Sequence, residues 1–570
     1  MTSLMKKYLY IFATVILMSV LCGQVFGRRL ANTGKDGLRF FTIDKILTLE
    51  DDQIDIGTAA LLLSRKWSNA KSVHRYRGKL DDMADDILRQ LKKKGIVKVD
   101  YRAVAVINDY LYNEKGFASI PTADNPEDLF LHNVLDTRRG YCLSLSVLYL
   151  AIAERIGLEL HGVVVPGHFF VRYDDGARRF NIETTSMGRS APDSHYIEKF
   201  NAPKRTDSLY MANLTKRQTL GCFFNNLGNS YSSVGDIDTA QFELERAVRV
   251  NPALAEAHTN LGNIYLKKGW SHDAISHYLT ALEISNSDPK THNNLANAYG
   301  YVGQFAAAVS EYRKAIELQP DFVDAYRNLA GIYLRNGQLQ KAIAELKNAL
   351  RLKHDDSDSF LLLGDVYQRM KDYNAAIHQY TRAAQLSPQS TSAHTNLAYC
   401  YYNTDRFDTA VDHFDRAIQL DPSNTGAYFG LALTYNELGL TDNEIEVYRE
   451  LLTIEPGIVA ALQNLGNAYI VLELYADAAE QYRRAIDLEP NDSGLHYNLG
   501  VAYANLEYYE DAAVEYLAAI KLDGQNASAH NAAAISFYML KDYDSARYHA
   551  RIAKELGFDV QKQLLDALGI

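Results

Sequence analysis

The sequence predicts an α+β N-terminal domain followed by an all-α superhelical solenoid of stacked helix pairs. Three observations carry this division. A 34-residue step holds through the second part of the chain, the step is absent before residue 217, and a Gly-Tyr-Cys turn opens an apolar helix in the first part. At 570 residues the chain also exceeds what one hydrophobic core supports, so at least two structural units are expected.

The first residues read as a targeting segment. Lys6 and Lys7 form a basic start, an apolar stretch runs from Tyr8 to Leu21, and Val25-Phe26-Gly27 offers residues that a signal peptidase reads. Removal of 1–27 would export the remainder to the periplasm or outside. An uncleaved membrane anchor is the alternative, because the run to Phe26 approaches the ~17–25 residues that span a bilayer. Lipidation at Cys22 is disfavoured by Leu21 before it. Residues 28–49 read as a linker. The three remaining cysteines, Cys142, Cys222 and Cys400, form no disulfide framework. A net charge of −11 argues against a nucleic-acid surface, which needs clustered Lys and Arg.

In the N-terminal domain, amphipathic patterns predict helices over Thr58–Lys66, Leu80–Lys94 and Val104–Tyr112. An apolar helix follows over Leu143–Ile156 and ends at Gly157. Leu158–Val165 reads as a strand, Pro166-Gly167-His168 as an interruption, and Phe169–Tyr173 as a second strand. Asp174-Asp175-Gly176 is a hairpin turn signal, and Arg178–Thr184 is the next strand.

Cys142, His168 and Glu183 are the candidate catalytic residues. A cysteine at a helix N-terminus meets the positive end of the dipole, which favours thiolate. A histidine can take the thiol proton and return it to a leaving group, and a carboxylate behind it fixes the tautomer. Each residue also has a bland reading: a small buried hydrophobe, a satisfied strand histidine, a surface charge. This order resembles the transglutaminase-like superfamily of papain-type folds, in the bacterial branch with a helical lead-in whose core can precede repeat arrays. Gly140-Tyr141-Cys142 matches its G-x-C, His168 its strand histidine, and Glu183 its acidic residue, where Asp is more usual. The resemblance spans about residues 50–195 and implies a cysteine acyl-transfer or peptidase domain, assigned here to residues 50–210. Arg138 and Arg139 offer a preference for anionic substrates, or a solvated charge pair.

The array is read from its period. Tyr231 recurs every 34 residues to Tyr503, and Phe537 closes the series. Leucine stands four residues earlier, from Leu227 to Leu499, with Ala533 the departure; Gly or Ala always follows it. Alanine stands nine residues after the Tyr, from Ala240 to Ala546, with Glu444 the departure. Proline closes units at Pro252, Pro320, Pro388, Pro422, Pro456 and Pro490, where its missing N–H stops a helix. One helix pair cannot bury its own apolar face, so neighbours must stack. The pattern resembles tetratricopeptide (TPR) repeats, in about ten units over residues 217–556, with 557–570 as a C-terminal capping helix.

The residue before the motif leucine is Asn226, Asn260, Asn294, Asn328, Asn396, Asn464 and Asn498. In TPR proteins this position lines the concave face, and a carboxamide can clamp a peptide backbone irrespective of side chain. The arrangement resembles the asparagine ladder of O-linked N-acetylglucosamine transferase; the alternative is a set of solvated consensus residues. A periodic set, His258, His292, His394, His496 and His530, reads as interhelical packing or a groove surface, since helix spacings of ~8–10 Å keep its members from converging on one ion.

The expectation is an exported TPR scaffold that binds proteins or peptides, carrying a transglutaminase-like cysteine domain for acyl transfer or amide hydrolysis. The alternative is a non-catalytic binding scaffold capped by that domain. No cofactor, metal or nucleic acid is expected, and membrane contact only through an N-terminal anchor.

Overall fold

The computed structural model describes residues 42–63, 70–123, 125–200 and 209–570. The expected signal peptide or anchor and Cys22 lie outside them. The chain divides into two compact units, Met1–Ala325 and Tyr326–Ile570.

The first unit opens with helices α1 (Ile43–Ile46), α2 (Ile56–Leu63), α3 (Ala70–Lys93) and α4 (Ala103–Asn108), the last continuing into a π-helical stretch, Asp109–Glu114. The expected linker therefore ends before residue 43. Ile43 and Ile46 are buried, so this segment belongs to the core rather than to a solvated tether. Strand β1 (Ala118–Ser119), helix α5 (Leu131–Thr137) and strand β2 (Arg139–Gly140) lead to α6 (Cys142–Ile156). Helix α6 is apolar nearly all round and is buried nearly throughout, as such a helix must be. Gly57 of α2 lets it approach: a Cβ there would lie 2.9 Å from Ala151 Cβ. Arg155, at the far end of α6, is buried between Asp55 at 3.3 Å and Asp81 at 2.8 Å.

Strands β3 (Leu160–Val165), β4 (His168–Asp174) and β5 (Arg179–Ile182) form an antiparallel meander against α6. Val165 pairs with His168, so only Pro166 and Gly167 make the turn, with Gly167 at φ +70. The sequence reading left His168 in the interruption; backbone pairing instead makes it the first residue of β4. Helix α7 (Asp193–Phe200) follows.

Ten helix pairs then run from α8 (Lys216–Ser233) and α9 (Ile237–Val250) to Tyr543–Glu555, and Lys562–Leu568 forms a final short helix with Leu568 buried. In the first unit these include α10 (Ala255–Lys267), α11 (Ser271–Ile284), α12 (Pro289–Tyr301) and α13 (Phe305–Leu318). The motif tyrosines Tyr231, Tyr333 and Tyr469 are buried, and a second set joins them. Tyr278, Tyr312, Tyr380, Tyr448 and Tyr482, on second helices, are fully buried. Gly262 makes room for Tyr278, since a Cβ there would lie 2.6 Å from the ring. One hydrophobic core runs from Ile43 to Ile264 and takes in Phe223, Phe224 and Leu227 of α8. Asp51 caps α8 by accepting from Lys216 N and Arg217 N at 3.0 and 2.8 Å. The first repeat is thus packed as part of the N-terminal domain.

Candidate active site

Gly140 is held by the parallel β1–β2 pair, and Tyr141 N donates to Ser144 Oγ at 2.8 Å. These contacts start α6 at Cys142, whose side chain is buried but lines a cavity of about 710 Å³. His168, at the head of β4, lines the same cavity. Glu183 follows β5 and caps a 3-10 turn, Thr184–Ser186. Thr184 Oγ1 reaches Cys142 O at 3.5 Å and Ser146 Oγ at 2.9 Å, tying the acid's turn to the nucleophile's helix.

His168 Nε2 lies 2.8 Å from Glu183 Oε2. Glu183 Oε1 accepts from Thr185 N at 3.1 Å and Thr185 Oγ1 at 2.6 Å. Cys142 lines the same cavity and acts on the same ring, helping to hold it protonated. Burial works to depress His168, but the bonds to Cys142 and Glu183 and their negative charge outweigh it and hold the imidazole at about 9. Burial likewise works to raise Glu183, and its bonds to His168 and Thr185 outweigh it, leaving the carboxyl below its ordinary value. The Tyr141 phenol is pushed up to about 12 by burial and by the sulfur of Cys142 beside it.

Phe200 covers the His168 ring face to face, with centroids 4.6 Å apart. Arg172 anchors the helix that carries it: its guanidinium is wholly buried and donates to Asp193 at 2.8 Å and to Asn181 at 2.8 Å. The opposite wall of the cavity comes from the repeats, where Glu256 of α10 accepts from Gly167 N at 3.4 Å. Burial pushes that carboxyl up to about 7 in spite of the Gly167 and Tyr210 donors.

The cavity wall includes Asn226, Asn260 and Asn294 together with Asn229 and Asn263. Asn260 donates to Asn225 at 2.8 Å and Asn294 to Asn263 at 2.9 Å. Asn328, Asn396, Asn464 and Asn498 lie in the second unit and are half-buried. There Asn396 donates to Asp365 at 3.1 Å and Asn464 to Tyr448 at 3.0 Å. The periodic histidines pair within their own repeats, as His258 with His277 at 3.1 Å and His292 with Glu311 at 2.7 Å. Among the described residues, no cluster of three or more His, Cys, Asp or Glu could hold a metal. Sequence reasoning gave Tyr141 no role beyond the free position of Gly140-Tyr141-Cys142, and it missed Phe200 and Glu256, which carry no motif. It also missed the second amide row at Asn229 and Asn263, which the 34-residue step could have revealed.

A family model described as the transglutaminase-like superfamily matches residues 74–221. Tetratricopeptide-repeat models match residues 293–357, 361–425 and 406–457, residues 255–288 and 493–526, and residues 228–269 and 466–507. The chain therefore carries a transglutaminase-like domain followed by TPR repeats. It is 26% identical over 136 residues to a UPF0162 protein of Xylella fastidiosa (strain Temecula1), which covers 23% of this chain and 47% of that protein. It is 35% identical over 81 residues to F-box only protein 21 of Homo sapiens, covering 14% and 12%. The chain thus spans about half the length, or less, of these curated relatives. Among solved structures, MamA is 28% identical with a TM-score of 0.28, covering 28% of this chain and 95% of that one. YrrB, titled a TPR protein with an unusual peptide-binding site, is 25% identical with a TM-score of 0.29, covering 32% and 95%.

Proposed function

We propose that the chain is an exported, cysteine-dependent acyl-transfer or amide-hydrolysing enzyme joined to a protein-binding TPR array. The observation that carries the chemistry is one imidazole, His168, held on Nε2 by a carboxylate and sharing its cavity with Cys142. With its pKa at about 9, that ring is an imidazolium at neutral pH and is ready to act as an acid. The Cys142 thiolate attacks an amide carbonyl, the C–N bond breaks, and the His168 proton goes to the departing amine, leaving a thioester and a neutral imidazole. Water or a second amine then attacks the thioester, His168 takes its proton, and the sulfur leaves as thiolate. Glu183 holds the ring in register throughout and offsets its charge.

Iodoacetamide tests the reading. Near pH 6 it should modify Cys142 faster than Cys222 or Cys400. Burial pushes the Cys222 thiol up, and pushes Cys400 up to about 12. His168→Ala should slow the reaction at Cys142 alone. Equal rates at the three cysteines, together with no effect of His168→Ala, would leave a non-catalytic scaffold capped by its N-terminal domain. Export rests on Lys6-Lys7, the apolar run and Val25-Phe26-Gly27. The mature chain should begin near Arg28 on N-terminal sequencing; intact Met1 on a soluble cytoplasmic protein would refute it.

A further inference from the structure

In four repeats a second-helix tyrosine satisfies a side chain on the first helix. Tyr278 donates to Asn263 at 2.7 Å, Tyr312 to Asn297 at 2.5 Å, Tyr380 to Asp365 at 2.7 Å and Tyr482 to Asn467 at 2.7 Å. The same two positions in the first repeat are Asn229 and Leu244. Leu244 is fully buried and has no hydroxyl to offer. Asn260, the amide that could reach back from the next repeat, donates to Asn225 instead. Asn229 and its neighbour Asn226 are therefore left without a hydrogen-bond partner among the described residues, and both line the cavity that holds Cys142 and His168.

We propose that Asn226 and Asn229 form the acyl-donor subsite of this cleft, and that they grip the backbone of an extended polypeptide supplied in trans. The inference rests on the thiol chemistry proposed above and names its substrate class. A carboxamide presents donor and acceptor together, which matches the C=O and N–H of a peptide unit and ignores the side chain between them. The two residues lie three apart on α8, so their side chains emerge ~5–6 Å from each other on one helix face. Alternate residues of an extended chain repeat at ~6.5–7 Å, close to the same interval. A segment laid along this face lies in the cavity that Cys142 and His168 also line. Charge adds no competing demand, since Glu256 and Asp288 share the lining with Lys290.

The repeats themselves suggest how to close the subsite. Gly228 stands against Leu244 as Gly262 stands against Tyr278 and Gly364 against Tyr380. The glycine that seats a tyrosine elsewhere is already present, so Leu244→Tyr should be accommodated and should donate to Asn229. The experiment measures alkylation of Cys142 by iodoacetamide in the full chain, with and without reduced, carboxymethylated lactalbumin as an unfolded polypeptide. The polypeptide should slow alkylation of the wild type several-fold. The pair Asn226→Ala and Asn229→Ala, and separately Leu244→Tyr, should raise the half-protecting concentration by about tenfold. Unchanged protection in both variants would overturn the subsite, and no protection of the wild type would overturn the polypeptide as its occupant. The rate without polypeptide is read in the same samples. Equal reactivity of Cys142 and Cys222 there would instead bring down the thiol reading on which the proposal stands.

Discussion

His168 and Glu183 meet through Nε2 and Oε2 at 2.8 Å, while the second carboxylate oxygen is held by both donors of Thr185. The carboxylate cannot turn away without losing all three bonds, so the ring is held on its Nε2 side. Glu183→Gln keeps a hydrogen-bonding group but removes the charge. The His168 value of about 9 should then fall by about one unit, equivalent to ~1.4 kcal/mol, in an NMR titration of the ring. The folded value exceeds the ordinary 6.5, so this interaction stabilises the fold fully below about 6.5 and is lost as pH rises through about 9. In the variant the contribution should be smaller and its loss complete at lower pH.

The buried Asp55–Arg155 pair makes a second prediction. The two side chains are 1% and 2% exposed and lie 3.3 Å apart. Arg155→Met strands a carboxylate in the core and should cost ~3–5 kcal/mol in urea unfolding of the first unit. Replacing both partners by apolar residues of similar volume should recover most of the loss.

The amide rows stabilise as well as line. Asn294→Ala removes two neutral bonds, one donated to Asn263, which still accepts from Tyr278, and a longer one accepted from Asn293 at 3.3 Å, and should cost ~1 kcal/mol. Asn396→Ala removes a donor from Asp365, whose carboxyl burial already pushes up, and should cost more, ~1.5–3 kcal/mol. Equal losses in thermal unfolding would contradict a charged acceptor at Asp365.

The last repeat carries a pH prediction. His530 and His549 face each other at 3.0 Å, and burial together with the charge of His530 pushes His549 down to about 4. A value below the ordinary 6.5 means stability that is present above 6.5 and lost as pH falls toward 4. The second unit should lose about 2 kcal/mol from this group between pH 7 and pH 5. Two other repeats place glutamate opposite the same histidine, His292–Glu311 at 2.7 Å and His496–Glu515 at 2.6 Å. His549→Glu should therefore remove this group's share of the acid sensitivity, leaving that of His394 and His413, which burial also pushes down.

Much of this molecule is legible along the chain because its signals are local. A step of 34 residues needs only the periodicity of Leu, Gly, Tyr and Ala to announce stacked helix pairs, and the stacked pairs are there. The helix that opens at Cys142 was readable from its apolar run and the glycine before it. The order Cys142, His168, Glu183 was readable because each residue sits at the start or end of a regular element. The signal failed where pairing, rather than composition, sets the backbone. His168 was read as part of a turn because Pro166 and Gly167 dominate the local pattern, whereas its place at the head of β4 comes from Val165 across the hairpin. Ile43 and Ile46 carry too short a pattern to stand out from a linker, and only the core they enter defines them.

A thiol, an imidazole and a carboxylate in order on a helix and a sheet, with helix pairs after them, are written in the local pattern of the chain. The nitrogen of His168 that Glu183 holds, the Phe200 ring over the imidazole and the wall that the repeats give the cleft come from packing. The reason is range. Helix and strand periods are written within a few residues, but Gly167 meets Glu256 across 89 positions, and Asn229 is left bare only because a leucine stands where other repeats place a tyrosine. Such contacts depend on which faces pack together, and packing is settled by the whole core at once.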